Sequence, residues 1–240
     1  ALKLKGMGME MLSEGVSALR ELVLVDLSSN FLLGLPDSFA ALTRLRQLDL
    51  SHNFFKRMPY SLGSLSLLQS LHMRNNQLTV IFPDVRDLTA LAELDLSCNC
   101  LRQISGLVTC LTNLETLDLS NNLINFVPPS MCSLTNVRRL SLRNNYITEL
   151  PCELHELARG RIVTLDVEDN GLRSPPPEIQ RQGLFSMLEY LFRLHQAQQT
   201  AVLDLSDLNI TYVSADVMQF AGTGTLRNGL KSLLLDGNSI

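Results

Sequence analysis

Four histidines, five cysteines and a group of closely spaced arginines are the residues of this 240-residue chain that could do chemistry. His52, His72, His155 and His195 lie in separate stretches, and no zincin-type helix joins two of them. Cys98 and Cys100 are one residue apart, as at the start of a metal motif. No third and fourth ligand sits near them in sequence, and two small turn residues are the competing reading. No glycine-rich nucleotide loop and no nucleophile elbow is present. No acid, base, nucleophile or metal set converges, so an enzyme within these residues is disfavoured, and neither a catalytic residue, a metal nor a cofactor is expected.

The arginines point to recognition instead. Residues 137–161 hold five Arg against three Glu, whereas 114–136 and 162–199 each carry a net charge of −2. Arg138, Arg139 and Arg143 thus form a basic stripe between acidic ones, and His72 and Arg74 form a smaller one. Guanidinium forks take carboxylates bidentately, so these residues fit an acidic partner. A solvated charged face gives the same pattern. Phe31, Phe54, Leu123 and Tyr146 recur beside asparagines; they are either interface anchors or half-buried turn residues. The whole chain is only weakly acidic, at −4, and no block of like charge marks it for nucleic acid or a membrane surface. No apolar run reaches the roughly 20 residues of a membrane span.

A repeating frame positions all of these residues. In 114–124 the pattern is L-x-x-L-x-L-x-x-N-x-I, carried by Leu114, Leu117, Leu119, Asn122 and Ile124. Leu117 and Leu119 alternate like residues of a strand with one buried face. Leu22, Leu45, Leu68, Leu91, Leu114 and Val137 follow one another at intervals of 23 residues, and Ile162 comes 25 later. Asn30, Asn53, Asn76, Asn99, Asn122, Asn145, Asn170 and, at the end, Asn238 hold one slot. There an inward amide can satisfy the backbone groups left open as the chain turns off the strand. Pro36, Pro59, Pro128 and Pro151 open the return half of their units. In the third unit the proline slips to Pro83, after Ile81-Phe82, and the fourth has Ser105-Gly106 instead, which predicts a looser segment.

These motifs resemble the leucine-rich repeat signature, in particular the intracellular class with 23-residue units and an LP-x-x-L-x-x-L second half. The resemblance covers essentially the whole chain. It implies a right-handed α/β solenoid, a horseshoe with a parallel concave sheet of about ten strands. Short 3-10 or irregular turns are expected on the convex side. Residues 1–176 form the repeat block, about seven units after a degenerate first one. Residues 184–194 have helical spacing, which predicts a helix near 178–198 within a capping insertion at 177–199. Residues 200–240 resume the repeats and stop inside a unit. A larger chain or assembly is therefore expected.

Strand residues between the leucines should line the concave face, where solenoids usually bind. One column there reads Asp26, Asp49, His72, Asp95, Asp118, Ser141, Asp166 and Asp204. Arg139 and Arg143, read as four apart on one strand, would face outward about 13 Å from each other. Secreted relatives carry cysteine-clustered caps, and the five scattered cysteines here do not resemble them. That implies a cytoplasmic protein, in which the sequon at Asn209 carries no glycan. The Ras-group, Scribble-type and Roco-type resemblance implies a non-catalytic scaffold or adaptor in signalling or cytoskeletal assembly, with other proteins as partners. The motif PPPEI…QG…YL, residues 175–191, also resembles Roco-type arrays. The alternative it implies is a regulatory segment of a larger GTPase or kinase.

Overall fold

The computed structural model describes residues 1–81, 83–213, 217 and 230–240. Each unit contributes one short strand whose central residue points into the core. The strands are β1 (Leu2–Lys3), β2 (Leu24–Asp26), β3 (Gln47–Asp49), β4 (Ser70–His72), β5 (Glu93–Asp95), β6 (Thr116–Asp118), β7 (Arg139–Ser141) and β8 (Thr164–Asp166). They form one parallel sheet in chain order. Leu48, Leu71, Leu94, Leu117 and Leu140 fall opposite one another in register. They are buried, as are Leu45, Leu68, Leu91 and Leu114 at the start of each unit. Stacking like side chains along one axis builds a continuous aliphatic core that no single unit could bury alone.

The return half of each unit up to the sixth is a 3-10 turn, as at Asp37–Ala41, Tyr60–Ser64 and Pro129–Ser133. The fourth unit, without its proline, is not looser: it keeps a five-residue 3-10 turn at Gly106–Cys110. The Ser105 carbonyl accepts from Val108 N at 3.0 Å, as the Pro36 carbonyl does from Phe39 N, so the turn forms without the ring. In the third unit the turn is Pro83–Asp87, so the proline has moved from the cap to the first turn position. Phe82, part of that sequence expectation, lies outside the described residues. The longer sixth unit extends its turn to Cys152–Arg159. It ends at Gly160, where a Cβ would sit 2.5 Å from the Thr135 carbonyl oxygen of the unit before.

The expected single helix is two, α1 (Pro177–Gln182) and α2 (Leu184–Thr200). Gly183 between them has φ +96° and ψ −171°, a conformation essentially closed to side chains. Helix α2 buries Met187, Leu188, Tyr190, Leu191, Leu194 and Ala197, packing on the Cys152–Arg159 turn and on the next strand. That strand, β9 (Val202–Asp204), pairs in parallel with β10 (Ser232–Leu234) as a separate sheet. The expected sheet of about ten strands is therefore eight plus two. The helices form the return half of the seventh unit, and β8 and β9 lie in separate sheets. Most of the connection from β9 to β10, residues 214–216 and 218–229, lies outside the described residues.

Candidate partner-binding surface

Two sets of side chains hold the concave surface in shape. The first is the asparagine column. The Asn122 amide donates to the Leu96 and Leu119 carbonyls, both at 3.0 Å, and its oxygen accepts from Leu101 N at 3.0 Å. Asn30, Asn53, Asn76, Asn99, Asn145 and Asn170 repeat the pattern, each taking the N–H of a residue in the preceding unit. Asn238 does the same across β9 and β10, accepting from Leu208 N and Ile210 N at 3.1 Å. The amide thereby satisfies turn groups that have no sheet partner.

The second set is the aspartate column. Asp26, Asp49, Asp95, Asp118, Asp166 and Asp204 each accept the backbone N–H two residues on, at 2.8–3.1 Å. Burial works to raise the Asp26 pKa, but the Ser28 hydroxyl and N–H hold it below the usual carboxylate range. The N–H and hydroxyl of Ser206 do the same for Asp204. These carboxylates are spent on local turns, which explains how like charges tolerate stacking. The residue after each turn sits in the left-handed region, from Ser29 and His52 to Asn144 and Asp169, with φ between 52° and 58°.

The broken positions of the column behave differently. His72 Nε2 lies 2.8 Å from Ser70 Oγ and 3.5 Å from the Glu93 carboxylate. Arg74 is exposed and has no ion pair among the described residues. In the sixth unit the expectation that Arg139 and Arg143 share one strand is corrected. Strand β7 ends at Ser141, so Arg143 lies beyond it rather than on one strand with Arg139. Arg143 already holds Glu168 at 2.6 Å and Asp169 at 2.7 Å, and the Asp169 contact raises its pKa. Arg138 pairs with Glu115 at 3.5 Å, and Arg139 donates to Thr116 Oγ1 at 3.1 Å. A partner carboxylate at Arg143 would have to displace two resident ones.

Of Phe31, Phe54 and Tyr146, the structure brings together the first two, at the N-terminal end. Phe31 and Phe54 stack with centroids 6.0 Å apart and planes at 16°. They remain 53% and 39% exposed, an unusual outlay of apolar surface for two neighbouring units. Tyr146, 64% exposed, stands apart on the sixth unit. His52 Nδ1 and the Asn75 amide, 2.8 Å apart, line the same turn edge as the phenylalanines. On the concave side of these units a groove of about 360 Å³ is lined by Lys3, Asp26, Gln47, Asp49, His72 and Glu93. His72, Arg74, Phe31 and Phe54 therefore belong to adjoining units, whereas Arg138, Arg139, Arg143 and Tyr146 lie three or more strands away.

One cluster escaped the sequence reading. Cys152 on the sixth-unit turn faces His195 on α2, and the His155 and His195 rings are 4.7 Å apart. Burial and the neighbouring Glu153 carboxylate push the Cys152 thiol up to about 12, so it is no activated nucleophile. Cys152 and His195 are 43 residues apart, and only the docking of α2 brings them together. The sole signal was that His195 directly follows the last leucine of the helix's apolar face.

Comparisons with known proteins agree with this architecture. Leucine-rich repeat profiles match residues 44–65 and 66–124, and a profile of two such repeats matches 112–157. Residues 44–157 are thus leucine-rich repeats, and the fold is that of a leucine-rich repeat solenoid. Comparison with curated proteins gives no significant match. Among solved structures, a leucine-rich repeat protein of Leptospira interrogans is 21% identical with a TM-score of 0.56, covering 96% of this chain and 58% of that one. The ectodomain of the receptor kinase GASSHO1 from Arabidopsis thaliana, solved in complex with Casparian strip integrity factor 2, is 24% identical with a TM-score of 0.61. It aligns over 95% of this chain and 23% of its own. An internalin of Listeria monocytogenes is 20% identical with a TM-score of 0.62, over 95% and 58%. The chain spans less than two thirds of each of these proteins, and at such identities the likeness is one of fold. No helix among the described residues is long and apolar enough to cross a membrane.

Proposed function

We propose that this chain is a non-catalytic scaffold or adaptor whose main docking surface is the N-terminal half of the concave face with its adjoining turn edge. Leucine-rich repeat proteins generally bind other proteins, and the fold fits that role. The observation that carries the location is the stacked, half-exposed Phe31–Phe54 pair beside the His72/Arg74 break in the aspartate column. Aromatic rings anchor interfaces, and an arginine without a resident carboxylate fixes the partner's charge and register. The partner that fits is a protein segment with an apolar residue for the aromatic edge and a carboxylate for Arg74.

The narrower kinship with Ras-group, Scribble-type and Roco-type proteins belongs to this proposal, supported by the 23-residue unit. So does a cytoplasmic setting, supported by five free thiols. The experiment is capture of partners by the intact chain compared with Phe31→Ser plus Phe54→Ser. Both aromatic side chains are half-exposed, so the double variant should stay folded with a modestly lowered melting temperature and lose the partner. A folded double variant that captures the same partner equally would move the surface elsewhere.

A further inference from the structure

Three potential metal-ligand atoms meet at the seam between the repeat block and α2. Cys152 Sγ lies 3.6 Å from Glu153 Oε2 and 3.9 Å from His195 Nδ1. All three ligand atoms lie within 4.8 Å of one another. We propose that they bind one divalent transition-metal ion of the zinc class, which clasps α2 to the sixth-unit turn.

The geometry suits that ion. Metal–sulfur bonds of about 2.3 Å and metal–nitrogen or metal–oxygen bonds of about 2.0–2.1 Å, arranged tetrahedrally, separate ligand atoms by roughly 3.3–3.6 Å. The two separations from sulfur, 3.6 and 3.9 Å, need only a small closure. The donor set of one thiolate, one imidazole and one carboxylate selects zinc-like ions over magnesium or calcium, which take oxygen alone. Coordination releases the Cys152 thiol proton to solvent, as thiolate ligation requires.

The elements carrying the ligands are held in place. Leu154 N donates to the Pro151 carbonyl at 3.1 Å and fixes the turn that carries Cys152 and Glu153. Buried Leu191 and Leu194 seat the helix that carries His195. The outer contacts also match a metal site. His155 Nδ1 lies 2.8 Å from the Cys152 carbonyl, and its ring packs on that of His195. Gln199 sits 3.2 Å from His195 Nε2. With its amide turned so that the oxygen faces the ring, Gln199 accepts Nε2–H and leaves Nδ1 free to ligate. Gln198 hydrogen-bonds the sulfur.

The test uses the intact chain, chelator-treated, kept reduced, and titrated with Co²⁺ or Zn²⁺ alone. One Co²⁺ per chain should bind with a thiolate-to-metal charge-transfer band. Zn²⁺ should displace it and raise the melting temperature, because the ion binds only the folded seam. Cys152→Ser should lose the band and the thermal shift. Glu153→Gln should weaken binding while leaving the metal-free melting temperature unchanged, which separates lost ligation from lost folding. Gln199→Ala should weaken it about 10–100-fold, as for other outer-shell partners. Cys100→Ser, altering an exposed thiol remote from the seam, should change nothing. Absence of the band in the wild type, its persistence in Cys152→Ser, or unchanged affinity in Glu153→Gln would overturn the site.

Discussion

The Asn122 amide donates to the carbonyl of Leu96, 26 residues earlier and one unit back, at 3.0 Å. Its neighbour Asn121 has a different task. Asn121 is exposed in the left-handed region at φ 55°, and its side chain hydrogen-bonds Ser120 and Asn144. Replacing Asn122 with Ala strands buried backbone groups and should cost about 1–3 kcal/mol. Replacing Asn121 with Gly suits its backbone and should be nearly neutral. Urea midpoints of the two variants check this, and equal midpoints would count against the asparagine column as the link between units.

Asp26 and Asp204 have folded pKa values below the usual carboxylate range. Their contribution to stability is therefore present above the unfolded value of about 4 and lost as pH falls through the lower folded values. Asp26→Asn should flatten the acid limb of stability. The check is the wild-type-to-variant difference in urea midpoint, which should be larger at neutral pH than below the folded pKa.

Gly183 separates α1 from α2 at φ +96°, with open space around the position of an added Cβ. Gly183→Ala should cost about 1–3 kcal/mol from backbone conformation alone. Thermal melts followed by circular dichroism would show it. An unchanged melting temperature would mean that the helices do not need this junction.

The repeat frame was legible because each unit states its own strand, asparagine and turn within 23 residues. The same inward leucines that mark the period in the sequence are the ones the sheet buries, from Leu48 to Leu140. What lay beyond a single unit was not legible. The partners of Arg143 are Glu168 and Asp169, in a unit displaced by the two-residue lengthening of the turn before it. The division of the sheet into eight and two strands falls at the unit whose return half is α1 and α2. The meeting of Cys152 with His195 depends on the docking of α2. In the fourth unit the missing proline was over-read, because a backbone carbonyl at Ser105 starts the turn equally well.

Charge reversal separates the two basic clusters. Arg74→Glu should reduce partner capture, and binding of the wild type should loosen as salt rises. Arg143→Ala should leave capture largely intact, because its fork is already committed to two carboxylates. Affinity measured for both variants at low and physiological salt checks the ranking. Stronger loss in Arg143→Ala would return the site to the sixth unit.

The docking surface is tested most directly by photo-crosslinking from single positions in the intact chain bound to its captured partner. A crosslinking residue at position 54 or 74 reports on the aromatic edge and the concave break, and one at position 86 reports on the convex turn Pro83–Asp87. The account predicts that the partner is joined covalently from 54 and 74 and not from 86. Joining from 86 alone would contradict it.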